Sequence, residues 1–520
     1  MTRPQGPVLS RPEGPLMSVE FCDLVDQAQS DSPDAALPRL RELIAATTPD
    51  SELAVKLRLV EVIALIFGRR LDEAITAATA AAELAGTAGF AGWQADAIAQ
   101  RAMAHWERND QAAAAVDLIL AEAMIEAAGD GGPAWNGART SVAGVYVECG
   151  YYELALNHFA VAAAADRGPL TGVPGHLTDA WNLGLTYLRW TFDDERAGVL
   201  AKDDPRYRAR LGEARRWYEV ADRRGGGPTH RWFADIQSGL VASRACLEPA
   251  AHIDELAVLC QDDLGPETEN DRILEIVWYS YVLRRLGRNR ESMDVADRLA
   301  RTVDGPSIWR STVREVLDEV HEAQLANGVV GAVQADGYLR ALRRELWQRR
   351  AWSLTAFRIR RDVAVMAARQ ARSDLLVNQD PLTGLGNRRA LTDWSAAHPV
   401  GPATVAMIDL DGFKDINDRF GHPAGDQILI RVAAALRTSG GPAARLIRYG
   451  GDEFVMLIDT TPEPADLTVA LADSLAGIDV TGWAAGSRLA ATVGIAQAGP
   501  GEPTAMLLER ADADLMRGKA

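Results

Sequence analysis

Near its C-terminal end the sequence reads Arg448-Tyr449-Gly450-Gly451-Asp452-Glu453-Phe454, followed by Val455-Met456-Leu457-Ile458. A glycine pair permits positive φ and tight turns because no Cβ restricts the backbone. Apolar runs on both sides fit two short strands, so the stretch predicts a β-hairpin that presents Asp452 and Glu453 at its turn. Such a turn is either a solvated acidic loop or half of a divalent-cation site. Partner residues elsewhere in the chain decide between the two.

Candidate partners precede the hairpin. The apolar run 404–408 predicts a buried strand that ends at Asp409, and a carboxylate at a strand end is well placed to hold a metal ion. Asn417 and Asp426 follow in a helix-turn-helix stretch. Taken alone, Asp426 is better explained as a helix N-cap than as a ligand contact.

Four ordered motifs join these residues into one pattern. They are Asp380-x-Leu382-Thr383-Gly384-Leu385-x-Asn387-Arg388, then Asp409-Leu410-Asp411-x-Phe413-Lys414-x-Ile416-Asn417-Asp418, then Phe420-Gly421-His422-x-x-Gly425-Asp426, and the hairpin stretch itself. Residues 380–520 with these motifs resemble the GGDEF family of diguanylate cyclases. The resemblance implies an α/β ferredoxin-like domain, similar to the palm of polymerases and to nucleotidyl cyclases, that condenses two GTP into cyclic di-GMP and two pyrophosphate.

The resemblance also implies a metal site. Asp409 and Asp452 would hold Mg²⁺, or Mn²⁺ as the alternative, together with the main-chain carbonyl of Leu410. Glu453 would act with Asp452 as a catalytic residue, because it adds negative charge beside the metal and the reacting 3′-hydroxyl. In-line attack on an α-phosphate needs such a cation to neutralise the charge that develops.

Substrate contacts follow from the same resemblance. Asn417 and Asp426 would bind guanine. The ring N–H and exocyclic amine of guanine can both donate to the Asp426 carboxylate, and adenine lacks this pair of donors. The remaining substrate-binding residues would be Phe413, Lys414, Gly450, Gly451 and Lys519. Each domain would bind one GTP, so ring closure requires a homodimer.

Two departures from the family pattern stand out. Residues 441–444 replace the Arg-x-x-Asp of product-inhibited members, so no inhibitory product site is expected. At the C-terminus Met516 and Gly518 replace the usual tyrosine and alanine, and the chain stops before the family's final glycine-arginine. These changes leave open an alternative: a catalytically weak or inactive GTP-binding or dimer-scaffolding module that acts through protein contacts.

A helical linker is predicted at residues 331–379. Apolar residues at a 3-4 spacing indicate a coiled coil or a long packed helix. They are Leu339, Leu342, Leu346, Ile359, Val363 and Met366. Residues 335–377 contain ten arginines and only four acidic residues. This excess is best explained as a solvated basic surface of the helix. The alternative is that the surface docks onto the acidic N-terminal half or onto a partner.

Residues 18–330 are rich in Ala, Leu, Arg and Glu with frequent turn signals, which predicts an all-α region of stacked helices. A small–bulky–small pattern recurs. Its copies are Ala74-Ala78-Ala81, Ala114-Leu118-Ala121, Ala155-Phe159-Ala162 and Ala214-Tyr218-Ala221. These positions resemble tetratricopeptide repeats, in which small residues let helices approach and the aromatic fills the gap, although a generic helical bundle shares the periodicity. The concave surface of such an array would bind an unknown ligand or protein.

Composition sets the remaining expectations. The 520 residues predict several domains, and the net charge of −17 argues against nucleic-acid binding. No stretch reaches the roughly 20 apolar residues of a membrane span. Cys22, Cys149, Cys246 and Cys260 lie far apart, which suggests neither a disulfide framework nor a zinc site and favours the cytoplasm. Residues 1–17 are expected to be disordered, and the start codon is Met1 or Met17.

Overall fold

We describe a computed structural model of the chain. It describes residues 24–25, 27–29, 33–128, 132–164, 175–224, 233–260, 270–303, 309–398, 400, 403–440, 444–478 and 489–519. The predictions for residues 1–17 and for Cys22 lie outside the described residues. The chain forms two compact units, residues 1–368 and 369–520.

The first unit is helical throughout its described part. Its helices are α1 (Pro33–Ala46), α2 (Glu52–Phe67), α3 (Leu71–Thr87), α4 (Ala91–Glu107), α5 (Gln111–Ala128), α6 (Pro133–Glu148), α7 (Tyr152–Ala164), α8 (Gly175–Arg196), α9 (Pro205–Arg224), α10 (Phe233–Leu247), α11 (Pro249–Leu259), α12 (Asn270–Arg285), α13 (Asn289–Leu299) and α14 (Arg310–Ala326). The helix α15 (Val330–Asn378) continues into the second unit.

One turn geometry recurs between these helices. A residue with left-handed φ follows the helix, and the next amide donates to a carbonyl five residues back, which is the Schellman arrangement. The left-handed residues are Arg69, Gly89, Asn109, Gly150, Gly198, Gly287 and Gly328, with φ of 58°, 80°, 69°, 72°, 71°, 73° and 71°. The paired amides are those of Arg70, Phe90, Asp110, Tyr151, Val199, Arg288 and Val329. The turn at Gly328 joins α14 to α15, so the linker helix begins as the second helix of another such pair.

The small–bulky–small positions lie in the core, because all twelve are buried. Tyr218 shows why small residues are needed beside a bulky one. A Cβ on Gly184 or Gly239 would stand 2.7 Å and 2.2 Å from its ring, so this tyrosine fits between α8 and α10 only against glycine. The packing that the pattern predicted is therefore present at this position.

The linker helix α15 docks onto the first unit along one face. Phe357 packs edge-on against Tyr146, with ring centroids 5.7 Å apart, and both belong to one buried cluster with Leu354. Arg343 bonds Glu322 at 2.8 Å, and Arg361 lies 3.3 Å from the buried Glu122. Interpreting the arginine-rich surface as a solvated face was therefore wrong for these residues, since burial of apolar neighbours brings them against the acidic helices.

The opposite face of α15 projects away from this contact. Trp352, Ile359, Val363 and Met366 are between 61% and 77% exposed. Their spacings of seven, four and three residues place them on one stripe of a helix.

A mixed sheet is the centre of the second unit. Its strands are β1 (Gly386–Asn387), β2 (Thr404–Leu410), β3 (Arg445–Gly450), β4 (Glu453–Ile458) and β5 (Ala491–Gln497), in the spatial order β1-β3-β4-β2-β5. All strand pairs are antiparallel except β1 with β3. The helices are α16 (Arg388–Ala397), α17 (Phe413–Phe420), α18 (His422–Gly440), α19 (Pro464–Ala476) and α20 (Thr504–Lys519). Apolar clusters lie on both faces of the sheet, as the fully buried strand β2 requires.

In the described part of the chain no helix combines the length and the apolar character needed to cross a bilayer. Cys149, Cys246 and Cys260 are free thiols.

Candidate functional site

The predicted hairpin forms between β3 and β4. Gly450 pairs with Glu453, so Gly451 and Asp452 make the turn. Neither glycine has a left-handed φ, which corrects the expected reason for the glycine pair. At Gly450 the reason is space, since a Cβ there would stand 3.0 Å from Oε2 of Glu453. At Gly451 a Cβ would meet no protein atom within 4 Å, so the surface above the turn is open.

The strand register brings the carboxylates to one end of the sheet. Asp409, the penultimate residue of β2, stands directly opposite Glu453 on β4. The amide of Leu410 donates to the carbonyl of Asp452 at 3.3 Å, which ties the end of β2 to the turn. Asp409 is buried, whereas Asp452 and Glu453 are half-buried. Four residues that the sequence analysis singled out thus meet at one edge.

Lys519 reaches the same edge from the last turn of α20. Its Nζ lies 2.6 Å from Oδ2 of Asp409, and this hydrogen bond raises the pKa of the ammonium above its usual value. The approach depends on two glycines. A Cβ on Gly494 would stand 2.2 Å from the amide of Leu515, and one on Gly518 would stand 2.9 Å from Cγ2 of Thr492. The departure from alanine at Gly518 therefore brings the end of α20 close to β5.

The edge offers oxygen ligands for a cation. Within the described ranges no three or more His, Cys, Asp or Glu side chains gather closely enough to share an ion. The available donors are two carboxylates, Asp409 and Asp452, and the carbonyl of Leu410. Mg²⁺ prefers such hard oxygen donors and commonly takes only one or two protein carboxylates together with substrate phosphates. The Lys519 ammonium on Asp409 is itself a cation at this position, so the donor set fits a positive ion.

The predicted guanine residues lie on a separate helical corner. The side chain of Asn417, on α17, is packed against Gly425 of α18, where a Cβ would stand 2.0 Å from its Oδ1. Asp426 follows on α18 and is exposed, as is Lys414 near the start of α17. Gly412, with a φ of 68°, turns the chain from β2 into Phe413 and α17. In the part of the chain that is described, no hydrogen bond or ion pair joins Asn417 or Asp426 to the carboxylates of the sheet edge.

Arg448 and Asp380 belong to the sequence motifs, and their role comes from the structure. Arg448 donates through Nε and Nη2 to the carbonyl of Gly451, at 3.0 Å and 2.8 Å, and through Nη1 to Asp380 at 3.1 Å. Asp380 also accepts from the amide and hydroxyl of Thr383. Burial alone would raise the pKa of the Asp380 carboxyl, but these hydrogen bonds outweigh burial and lower it. The arginine thus fixes the turn that carries Asp452.

Fold and site together define an α/β domain in which Asp409, Asp452 and Glu453 lie along one edge of a mixed sheet. Residues 377–520 match the family model described as "Diguanylate cyclase, GGDEF domain". Residues 377–520 of the chain therefore form a GGDEF domain, which is less than a third of its length.

Known relatives share this part of the chain. An uncharacterised protein of Mycobacterium tuberculosis is 36% identical over 165 residues, which are 30% of this chain and 26% of the relative. Diguanylate cyclase DgcP of Escherichia coli is 41% identical over 123 residues, 22% of this chain and 36% of the relative. The chain therefore spans well under two thirds of these relatives. The solved coiled coil and GGDEF domain of DgcB from Caulobacter crescentus, in complex with c-di-GMP, is 26% identical, with a TM-score of 0.28, and covers 33% of this chain and 94% of that structure.

The glycines of the site predict a contrast between two alanine substitutions. Gly425→Ala should lower the free energy of unfolding of the domain by about 1–3 kcal/mol, because the added methyl overlaps Asn417. Gly451→Ala, whose methyl would enter open space, should change it by less than about 0.5 kcal/mol. Urea unfolding followed by tryptophan fluorescence measures both. Equal losses of stability in the two variants would contradict the geometry described for these glycines.

Proposed function

We propose that this protein is a diguanylate cyclase that condenses two GTP into cyclic di-GMP and two pyrophosphate. The observation that carries the proposal is the meeting of Asp409, Asp452 and Glu453 at one sheet edge of a GGDEF domain. The strand order supports a ferredoxin-like core, since β2, β3, β4 and β5 with their helices follow a strand–helix–strand–strand–helix–strand path.

Asp409, Asp452 and the Leu410 carbonyl would hold Mg²⁺, with Mn²⁺ as an alternative ion. Bound there, the ion would supply charge neutralisation at the α-phosphate and lower the pKa of the attacking hydroxyl. Glu453, next to Asp452 and opposite Asp409, would add negative charge at the same point. Lys519 holds Asp409 in this arrangement and would be free to contact phosphate oxygens once a second cation shares that carboxylate.

GTP would lie between the sheet edge and the helical corner. The first amides of a helix have no partners within the helix, so α17 would offer those of Phe413 and Lys414 to the phosphates. Gly450 and Gly451 leave the backbone of the turn accessible, and the space above Gly451 is open. Asn417 and Asp426 would bind the guanine base. Adenine would be disfavoured, because it would leave the Asp426 carboxylate without a hydrogen-bond donor. No inhibitory product site is proposed at residues 441–444, of which 441–443 lie outside the described residues.

A homodimer would bring two GTP molecules face to face. The exposed stripe of Trp352, Ile359, Val363 and Met366 supports this proposal, because these spacings form a coiled-coil seam when a second copy packs against it. The face of α15 that packs against the first unit, with Leu354 and Phe357, lies on another side of the helix from this stripe. The same helix can therefore contact its own chain and a partner.

The helical region 18–330 would regulate the cyclase as a tetratricopeptide-like array. Seven turns of the same geometry in the described residues and the twelve buried pattern positions support it. In this proposal residues 18–330 form the regulatory array, residues 331–379 the linker and residues 380–520 the catalytic domain. An unknown ligand or protein would bind the array, with no role for nucleic acid or membrane. A cytoplasmic location stays a prediction.

A second candidate is a GTP-binding or scaffolding module without turnover. The ion pair of Lys519 with Asp409 favours it to a degree, because a carboxylate held by lysine is not free to take a metal. An assay of turnover separates the two candidates.

Asp452→Asn should lower cyclic di-GMP formation from GTP and Mg²⁺ by at least about a hundredfold, because the amide keeps the shape of the side chain but loses the charge that holds the ion. Product is quantified by chromatography with purified full-length protein. Asp459→Asn is the matched control: it makes the same chemical change at an exposed position beyond the other end of β4, and it should leave the rate unchanged.

If wild-type protein forms no product at high protein concentration while GTP still binds, the scaffolding candidate replaces the cyclase. If Asp452→Asn turns over as fast as wild type, the metal assignment is wrong.

Ile359→Glu should shift the protein from dimer to monomer in sedimentation velocity, because the substitution places a charge in the middle of the proposed seam. Ser353→Glu adds the same charge at an exposed position off the stripe and should keep the dimer. Dimers that persist in Ile359→Glu would rule out this seam.

A further inference from the structure

The first unit contains a cavity of about 200 Å³ between the linker helix α15 and the helices α8 and α12. Six cations line it: Arg196, Lys202, Arg284, Arg340, Arg343 and Arg344. Only two acids, Glu195 and Glu322, share the lining. The lining alone thus has four more positive than negative side chains, and three of its arginines, Arg284, Arg343 and Arg340, pair with acids that lie outside it.

The most buried of these cations lacks hydrogen bonds. The Arg196 side chain is only 10% exposed, and its nearest acid, Glu319, stands 3.9 Å away. Its Nη1 is fully buried without an acceptor, and among the described residues the guanidinium donates no hydrogen bond. A guanidinium has five N–H donors, and leaving them unused in a buried position costs free energy. An anionic group in the cavity would compensate the positive charge of this guanidinium.

Two other cations of the wall form ion pairs with acids that lie outside the cavity. Arg284 bonds Glu319 at 2.8 Å and Arg343 bonds Asp318 at 2.8 Å, both acids on α14 outside the cavity lining. These ion pairs fix the two guanidiniums, so their remaining donors are oriented before any ligand binds.

The mouth of the cavity carries cations that are free to reach a ligand. Lys202 is 47% exposed and pairs with Glu195 at 3.1 Å, whereas Arg344 is exposed and has no partner within the described ranges. Two rings, those of Phe192 and Tyr281, form the apolar part of the lining at a centroid separation of 4.7 Å. A small ligand would thus meet charge on several sides and aromatic surface on one.

We propose that this cavity binds a small polyanion that carries phosphate or carboxylate groups. Planar guanidinium forks match the oxygens of both groups bidentately. Because α8 and α12 form one wall and α15 forms the other, a bound anion would bridge the helical array to the linker helix and hold them together. The site lies wholly within the first unit and does not depend on the proposed cyclase activity.

Isothermal titration of the full-length protein with pyrophosphate, inorganic phosphate and citrate tests the site. The protein and buffer are freed of divalent cations with a chelating resin and no soluble chelator is added, so that a metal-dependent nucleotide site does not contribute. We expect one site per chain for at least one of the three anions, and comparison of citrate with the two phosphates assigns the preferred group. The double variant K202Q/R344Q should weaken binding about fivefold to tenfold, since two partly exposed charged contacts are lost.

Arg360→Gln is the matched control, because Arg360 is an exposed arginine on the same helix outside the cavity. It should leave the affinity unchanged. The proposal is overturned if none of the three anions binds, if K202Q/R344Q binds as tightly as wild type, or if Arg360→Gln weakens binding equally, which would indicate attraction to the arginine-rich helix in general.

Discussion

The packing of Phe357 against Tyr146 and Tyr151 is the contact on which the position of α15 in the first unit depends. The ring centroids lie 5.7 Å and 5.6 Å from the two tyrosines, inside a cluster that also buries Leu354. This contact places α15 along the helical array. It also brings Arg350 to the turn at Gly150, where Arg350 donates to the Gly150 carbonyl and pairs with Glu153 at 3.1 Å. Without this anchor the arginines of α15 would have no reason to face the acidic helices.

Docking along one face leaves α15 with two different surfaces. The docked surface is apolar at its centre and ionic at its ends, and the opposite surface is an exposed apolar stripe. The helix also forms one wall of the cation-lined cavity through Arg340, Arg343 and Arg344. A ligand in that cavity, the array and a second copy of the chain would therefore all act on one continuous helix. That helix ends at Asn378, two residues before the first motif of the GGDEF domain.

The main elements of the second unit could be predicted from short stretches of sequence. The glycines, the carboxylates and their flanking apolar runs predicted the hairpin and the strand that ends at Asp409, because strand ends and turns follow from neighbouring residues. The small–bulky–small pattern likewise predicted buried helix faces. The role of Arg448 was not predictable, since its partner Asp380 lies 68 residues away and no pattern connects them. Docking of the linker was missed for the same reason: Arg350 meets Gly150 across 200 residues, and its arginine-rich surroundings favoured a solvated face.

Amide hydrogen exchange of residues 350–361 tests the docked linker helix most directly, with wild-type protein compared with Phe357→Ala. Removing the ring from a buried cluster costs about 3–5 kcal/mol of packing. We expect strong protection of this segment in wild type and a large, selective loss of protection in the variant, with equal exchange of α4 in the two proteins. Unchanged exchange in residues 350–361 after the substitution would show that the helix is not held by this contact.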